Sequence, residues 1–305
     1  VERAAGAAHD FAIAARDFYP DFLERLADES GIRVPLNRLG ILQVALTEAG
    51  VKGLRKAAAP GSDWLEKREL ATMEPTLAHA LGAVMNPDDG AVDNVVLISA
   101  LEELLPRTGR ITRLEGDAVK VERHESSWRV ELASGTSVAA GHVVLSPGAW
   151  GATIQGVRYL RSVQPLRGQL IAFQSIGLRH VVYGPRGYLV PRATGTTIAG
   201  STNESTGFDS GTTESGLAKV TSAAEEIAPG LAIASVKSAW AGLRPITPDM
   251  LPLLGTEDAE PGLVYACGHA RNGILLAPLT GEVVASIVTG ESLSHDLSQF
   301  RPARF

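Results

Sequence analysis

The strongest constraint in the sequence lies between residues 263 and 288. LVYAC, residues 263–267, is an apolar run long enough for a buried strand and too short for a helix. Gly268, Asn272 and Gly273 interrupt it, and an apolar periodic segment runs from Ile274 to Val288. A strand, a glycine-bearing loop and a helix start in that order belong to an α/β fold. They also turn backbone N–H groups and the positive end of a helix dipole toward an electron-rich ligand. Upstream, residues 239–250 read AWAGLRPITPDM. Each stretch carries one arginine, Arg244 and Arg271, beside turn-forming residues and an apolar run. Two guanidinium groups that converge near such a loop can clamp a carboxylate, because the planar fork grips it in two places.

Composition narrows the class. A chain of 305 residues is long enough for about two domains and a large core. Hydrophobic content of 45% with 20% charged residues is that of an ordinary globular protein. A net charge of −6 and the absence of a basic stripe argue against a nucleic-acid partner. The single cysteine, Cys267, excludes an internal disulfide, and its apolar setting reads as a small buried residue rather than a nucleophile. No uninterrupted apolar run reaches about 18 residues, so a membrane span is not expected. No secretory pattern opens the chain, which makes the cytoplasm the expected location. The seven histidines show no ligand spacing, and no metal site is expected.

Taken in order, residues 8–28 set Phe11, Ala15, Phe18, Phe22 and Leu26 near one helical face, and Gly31 ends the helix. Residues 38–46 read as an apolar strand. Thr47 caps a helix that runs to about residue 58, where Pro60 and Gly61 follow. A short helix over residues 66–73 ends before Pro75. Asp88 and Asp89 precede Gly90 in a turn, which reads as a hinge rather than as paired acid–base carboxylates. Asp93 caps a helix over residues 94–105. Residues 110–122 and 128–132 read as strands, the second alternating as a half-exposed antiparallel strand does. Residues 143–146 form a buried strand ending in the small-residue turn Pro147, Gly148, Ala149, Trp150, where a ligand can approach the backbone. From residue 163 the pattern becomes antiparallel, with strands over 163–173, 180–183, 187–192 and 196–201. A helix over 213–227 and a strand over 236–243 return to the arginine-bearing stretch.

GLRP-x-TPD-x-LP-x-LG, from Gly242, followed by GH-x-RNGILLAP, from Gly268, is similar to the C-terminal signature of the FAD-dependent D-amino-acid oxidase superfamily, in its glycine oxidase branch. The resemblance extends over nearly all of the chain. It implies FAD as cofactor. It also implies an α/β fold in which a truncated FAD/NAD(P)-binding, Rossmann-like domain is interleaved with an α+β antiparallel-sheet substrate domain. The FAD-binding side takes residues 1–31, 88–152 and 239–305, and the substrate side residues 32–87 and 153–238. Arg244 and Arg271 are then expected at the substrate carboxylate, with Tyr188 of GYLVPR over the substrate as the third catalytic residue. A strand tyrosine also serves cross-strand packing, so both roles stand open for Tyr188. Gly148, Ala149 and Trp150 are expected beside the flavin diphosphate. His269, Asn272, Gly273, Ile274 and Leu275 are expected along the flavin ring, and Gly242 joins the cofactor set.

The implied reaction is oxidation of a small amine or amino acid, glycine above all, to an imine, with hydride transfer to flavin and dioxygen as final acceptor. The implied pathway is thiamine biosynthesis. No nucleic-acid or membrane partner is expected, and a homo-oligomer is left open. One departure stands out. A dinucleotide-binding fold opens with strand, G-x-G-x-x-G and helix. None of the 32 glycines here is separated from another by a single residue, so that fingerprint is absent from the sequence. In the resembled family it lies just upstream of the first helix. The expectation is therefore an N-terminally incomplete copy with an exposed sheet edge. The alternative function is a non-catalytic remnant that binds FAD weakly or not at all.

Overall fold

The structure is a computed structural model, and it describes residues 6–305. Helix α1 (Ala7–Ser30) leads through β1 (Leu36–Asn37) and β2 (Ile41–Ala45) to α2 (Glu48–Ala57), β3 (Asp63–Glu66) and α3 (Lys67–Met73). β4 (Gly82–Asn86), β5 (Ala91–Val92) and α4 (Asn94–Leu104) follow. A three-stranded meander is built from β6 (Ala118–His124), β7 (Ser127–Leu132) and β8 (Ser137–Ala140), and β9 (Val143–Leu145) comes next. The second crossing comprises β10 (Gln164–Gln174), β11 (Val181–Tyr183), β12 (Tyr188–Arg192), β13 (Thr196–Gly200), α5 (Glu214–Ile227) and β14 (Val236–Ile246). The last elements are β15 (Leu253–Gly255), β16 (Leu263–Cys267) and α6 (Gly273–Thr289).

Three helix starts follow from side-chain oxygens that satisfy otherwise unpaired N–H groups. Thr47 accepts from Gly50, Asp93 from Val95 and Val96, and Thr213 from Gly216. At the other end of α1, Gly31 adopts φ 76°, a left-handed cap that closes the helix. At Thr47, Asp93 and Gly31 these are the boundaries that capping chemistry in the sequence predicts; at Thr213 the residue expected to open the helix is instead its cap.

Eight strands form one large sheet in the order β14-β10-β13-β12-β11-β2-β4-β3. Every pairing in it is antiparallel except β11 with β2. Its inner face carries Leu42, Val44, Ile171, Phe173, Val182, Leu189 and Ala199, packed against Val220, Ala224 and Ile227 of α5. A second sheet is small, in the order β15-β16-β9, with β16 parallel to β9. α6 and α1 pack together beside it through Phe11, Ala15, Leu276, Leu279 and Val283. The mixed α/β class expected from the sequence is the class observed.

The two sheets end differently. Among the described residues β9 pairs on one side only, and Val144 at its centre is 43% exposed. Parallel strands are normally covered on both faces and flanked by neighbours. The outward side of α6 is apolar as well. Ala270–Thr289 is long and apolar enough by composition to cross a membrane, which the count of uninterrupted runs did not anticipate because Pro278, Thr280 and Gly281 break the run. In the fold this helix packs on α1 and β16.

One expected strand differs. Residues 110–117 are irregular, and Ile111 and Leu114 are exposed there. Only from Ala118 does β7 offer a partner, so pairing rather than local apolar content sets where β6 begins. The meander also contains a third strand, β8, that the turn signals at Ser134 and Gly135 foreshadow.

A buried charge ties the segment after α3, which follows edge strand β3, to the start of β11 in the middle of the large sheet. Glu74, after α3, is fully buried, and its Oε1 accepts from the backbone N–H groups of Arg179 (3.0 Å) and His180 (2.8 Å) and meets His180 Nδ1 at 2.5 Å. Burial pushes the carboxyl upward, and the bonds from His180 and Arg179 outweigh it, so Glu74 is held below the ordinary carboxylate range. A depressed carboxylate stabilises the fold above its unfolded pKa, and that stability is lost as pH falls through the folded value. Glu74→Ala is expected to lower unfolding free energy at pH 7 by about 3 kcal/mol, read from urea denaturation. The wild-type advantage should shrink as pH falls below about 4.3, the ordinary glutamate value.

Candidate active site

Side chains alternate across a strand, so the pairing register decides which residues share the outer face of the large sheet. Leu166 opposes Arg244, Gly168 opposes Gly242 and Leu170 opposes Trp240. Leu170 also opposes Gly200, which opposes Tyr188, which opposes Tyr183. Arg244, Tyr188, Leu170, Trp240 and Tyr183 therefore stand on one face, opposite the core.

Two glycines let the functional side chains lie flat. A Cβ added at Gly168 would meet the Arg244 guanidinium at 2.4 Å. A Cβ added at Gly200 would meet the Tyr188 ring and hydroxyl at 2.5 Å. Neither site has positive φ, so space rather than backbone conformation selects glycine here. Arg244 rests on β10 and Tyr188 on β13, and the tyrosine stands near enough to the guanidinium to favour its charged form.

The remaining partners of Arg244 come from the segment after β13. Its guanidinium donates to Ser201 Oγ at 2.5 Å, to the Thr202 carbonyl at 3.2 Å and to Asn203 Oδ1 at 3.4 Å. All of these groups are neutral. Burial lowers the pKa of Arg244, Tyr188 raises it, and the nearby positive charge of Arg271 lowers it further. Arg271 comes from the turn Ala270–Asn272, between β16 and α6, which packs against β14. The sheet thus brings Tyr188, Arg244 and Arg271 together, as their spacing in sequence alone could not show. Two positive charges held close, one of them surrounded by neutral oxygens, are an arrangement suited to an anion.

The expected cofactor residues gather on two turns that flank β14. Gly148–Thr153 packs against β14 and β10, with Gly148 at φ 59° and its carbonyl 3.3 Å from Cys267 Sγ. Ala149 is buried, whereas Trp150 is 53% exposed and stacks on Phe208, centroids 6.2 Å apart. The second turn follows β16. Gly268 adopts φ 75°, and Gly273 is the first residue of α6. Between the turns, Gly242 presents bare backbone: a Cβ built there meets nothing within 4 Å. A cavity of about 380 Å³ borders this region, lined by Ser146, Pro245, His269, Gly273, Ala277 and Gly281 among others. Ile274 is 41% exposed at the start of α6, and Leu275 packs partly into the α1–α6 core. Asn272 caps the turn backbone, its N–H donating to His269 O at 2.9 Å.

The sequence of residues 2–287 matches the pattern of the family described as FAD dependent oxidoreductase. The chain belongs to that family. It is 32% identical to glycine oxidase of Geobacillus kaustophilus over 96% of this chain and 81% of that protein. It is 31% identical to the bifunctional protein ThiO/ThiG of Synechocystis sp. over 97% of this chain, and spans 45% of that longer protein. The crystal structure of the Geobacillus kaustophilus glycine oxidase superposes with a TM-score of 0.90 at 29% identity, covering 99% of this chain and 85% of that one. Iminodiacetate oxidase from Chelativorans sp. BNC1 superposes with a TM-score of 0.88 at 25% identity, covering 99% and 86%.

FAD is the family's cofactor, and the residues here fit its ring end. The bare backbone of Gly242, the tight Gly268 turn and the N–H groups opening α6 are the close approach and donor set suited to a flat ring that gains negative charge on reduction. The chain offers no G-x-G pair for the diphosphate. Sequence reading missed four residues that surround Arg244 and Tyr188: Gly168, Gly200, Ser201 and Asn203. The two glycines inside strand patterns were the available signal, since a strand glycine marks a close approach.

His269 sits in the cavity wall with Nε2 3.2 Å from Thr280 Oγ1. Burial lowers its pKa to about 4. A depressed histidine leaves the unfolded chain holding a proton that the folded chain lacks between pH 4 and 6.5, so its contribution to stability falls as pH falls through that window. An NMR titration is expected to show the His269 imidazole neutral throughout pH 5–8. Gly168→Ala and Gly200→Ala are each expected to weaken glycolate binding by about tenfold, measured by calorimetry, with a stability loss of about 1–3 kcal/mol from overpacking.

Proposed function

We propose that the face carrying Tyr188, Arg244 and Arg271 is the substrate site of an oxidase for a small amino acid of the glycine type. One observation carries the reading. Arg244 is held flat over Gly168 with neutral partners only among the described residues, and a second guanidinium stands near enough to disfavour its charge. A ligand carboxylate relieves both penalties at once, through charge-assisted hydrogen bonds. The relatives named for glycine and for iminodiacetate support the substrate class, because both compounds contain an N–CH2–COO unit.

In this reading Arg244 fixes the carboxylate, Arg271 adds a second positive charge beside it, and the Tyr188 hydroxyl completes the hold. The residues of the two turns, Gly148 and Ala149 on one side and Asn272, Gly273, Ile274 and Leu275 on the other, would hold FAD. When bound, FAD supplies the acceptor for the two electrons leaving the substrate Cα–N unit. Neutral His269 leaves the site free of a further cation at neutral pH. The protein's contribution is then orientation: an anchored carboxylate points the Cα–H in one direction. Dioxygen is the final electron acceptor and an imine the product. Likeness to the bifunctional protein ThiO/ThiG supports placing the reaction in thiamine biosynthesis.

The test is the affinity of the 305-residue chain for glycolate, which carries the carboxylate without the amine. Arg244→Met is expected to weaken it by about 10- to 100-fold, the worth of a charge-assisted pair, while the melting temperature holds or rises because a desolvated charge is removed. Equal affinity in wild type and variant would mean that the carboxylate binds elsewhere.

A further inference from the structure

The segment that supplies Arg244 with its oxygens also carries two acids. Residues 201–211 read STNESTGFDSG, with Glu204 and Asp209 within a few residues of Asn203. An ionised carboxylate beside Arg244 would occupy the place of a ligand. The structure shows where both acids go. Extended backbone alternates, so Asn203 turns to the outer face of the sheet and Glu204 to the opposite one. There Glu204 Oε2 accepts from Arg167 Nε and from Gln169 Nε2, each at 2.8 Å. Arg167 Nη1 donates to Asp209 Oδ2 at 2.6 Å and to the Gly211 carbonyl at 3.1 Å. The backbones of Arg167 and Glu204 exchange both hydrogen bonds, at 2.9 and 3.0 Å. Gln169 N–H donates to Thr202 Oγ1 at 3.0 Å.

Arg167, Gly168 and Gln169 are consecutive in β10. Gly168 is the floor beneath the Arg244 guanidinium, and its two neighbours point through the other side of the sheet into the loop's acids. Arg167 is only 4% exposed, which is unusual for an arginine that touches no part of the substrate face. Nothing in the core needs a charge there.

We propose that Arg167 is a positioning residue that sequesters Glu204 and Asp209 on the far face of the sheet, so that Arg244 keeps neutral partners and stays available to a carboxylate ligand. The inference rests on the reading of Arg244 as the carboxylate anchor. It assigns the loop a second task besides supplying oxygens: its charges must be kept away from the site it helps to build. Gln169 shares the work by holding Glu204 and Thr202 together. Glu204 is held below the ordinary carboxylate range by the bond from Gln169 first and by Arg167 next, so it is ionised and needs a cation near neutral pH.

The test uses glycolate affinity by calorimetry on the full chain, with circular dichroism and melting curves to confirm folding. Arg167→Met is expected to weaken glycolate binding by at least about tenfold, because the released carboxylates then lie in the field of Arg244. The double variant Arg167→Met/Glu204→Gln is expected to recover binding to within about threefold of wild type, since a neutral amide does not compete with the ligand. Arg167→Lys, which keeps the charge, is expected to stay near wild type. Should wild type bind glycolate and Arg167→Met bind it equally, the sequestering role is overturned while the anchor stands. Equal loss in Arg167→Met and in the double variant would reduce Arg167 to a brace. No glycolate binding by wild type would overturn the anchor itself, and the inference with it.

Discussion

The structure depends on a positive charge taken partly out of water without an anion to meet it. Desolvating a guanidinium is unfavourable unless oxygens replace the lost hydration. Ser201, Thr202, Asn203 and Tyr188 replace it here with dipoles, which solvate the charge without cancelling it. That distinction separates a binding site from an internal salt bridge. Elsewhere this protein gives its buried charges stronger partners: Arg167 meets two acids, and Glu74 accepts hydrogen bonds from the backbone of Arg179 and His180 and contacts the His180 ring. Arg244 is treated differently from them, and the difference is what makes it a candidate for function.

The large sheet provides this through its two-residue period. Along β10, Leu166, Gly168 and Leu170 lie under the site, whereas Arg167, Gln169, Ile171 and Phe173 serve the loop and the core. A single residue of slippage between β10 and β14 would exchange these sets and bury Arg244 against α5. The 11-residue ladders of these two strands, and the apolar inner face of the sheet, hold the register. The chemistry on one face is therefore secured by hydrophobic packing on the other.

Much of this was legible in the sequence where local chemistry governs. The caps at Thr47 and Asp93, the helix that follows Thr213, the strand LVYAC and the turn at Gly268 all follow from short-range rules, and the structure has them. Tyr188, Arg244 and Arg271 were identified by the motifs around them. What escaped depends on contacts distant in sequence. Gly168 acquires its meaning only because Arg244 lies above it, 76 positions later, and Gly200 only through Tyr188 across a strand pair. The start of β6 failed for the same reason: residues 110–117 carry only Ile111 and Leu114 as large apolar side chains and have no strand to pair with. The membrane-length helix escaped because the sequence was read for unbroken runs, whereas an average over 18 positions tolerates the interruptions of α6.

One contact sets an order on how the molecule is made. The hydroxyl of Tyr19, on the first helix, donates to the carbonyl of Ile274, in the first turn of α6, just after the turn that carries Arg271. Their separation of 255 residues means that α1 leaves the ribosome long before its partner exists. Until α6 arrives, Phe11 and Ala15 have no cover, and the apolar face of α1 must wait exposed or be shielded by a chaperone. The large sheet can form earlier, since all of its strands precede Leu253. The protein is thus expected to mature in two stages, with the sheet face that carries Arg244 and Tyr188 present first and the turn that carries Arg271 locked only as the last tenth of the chain is delivered.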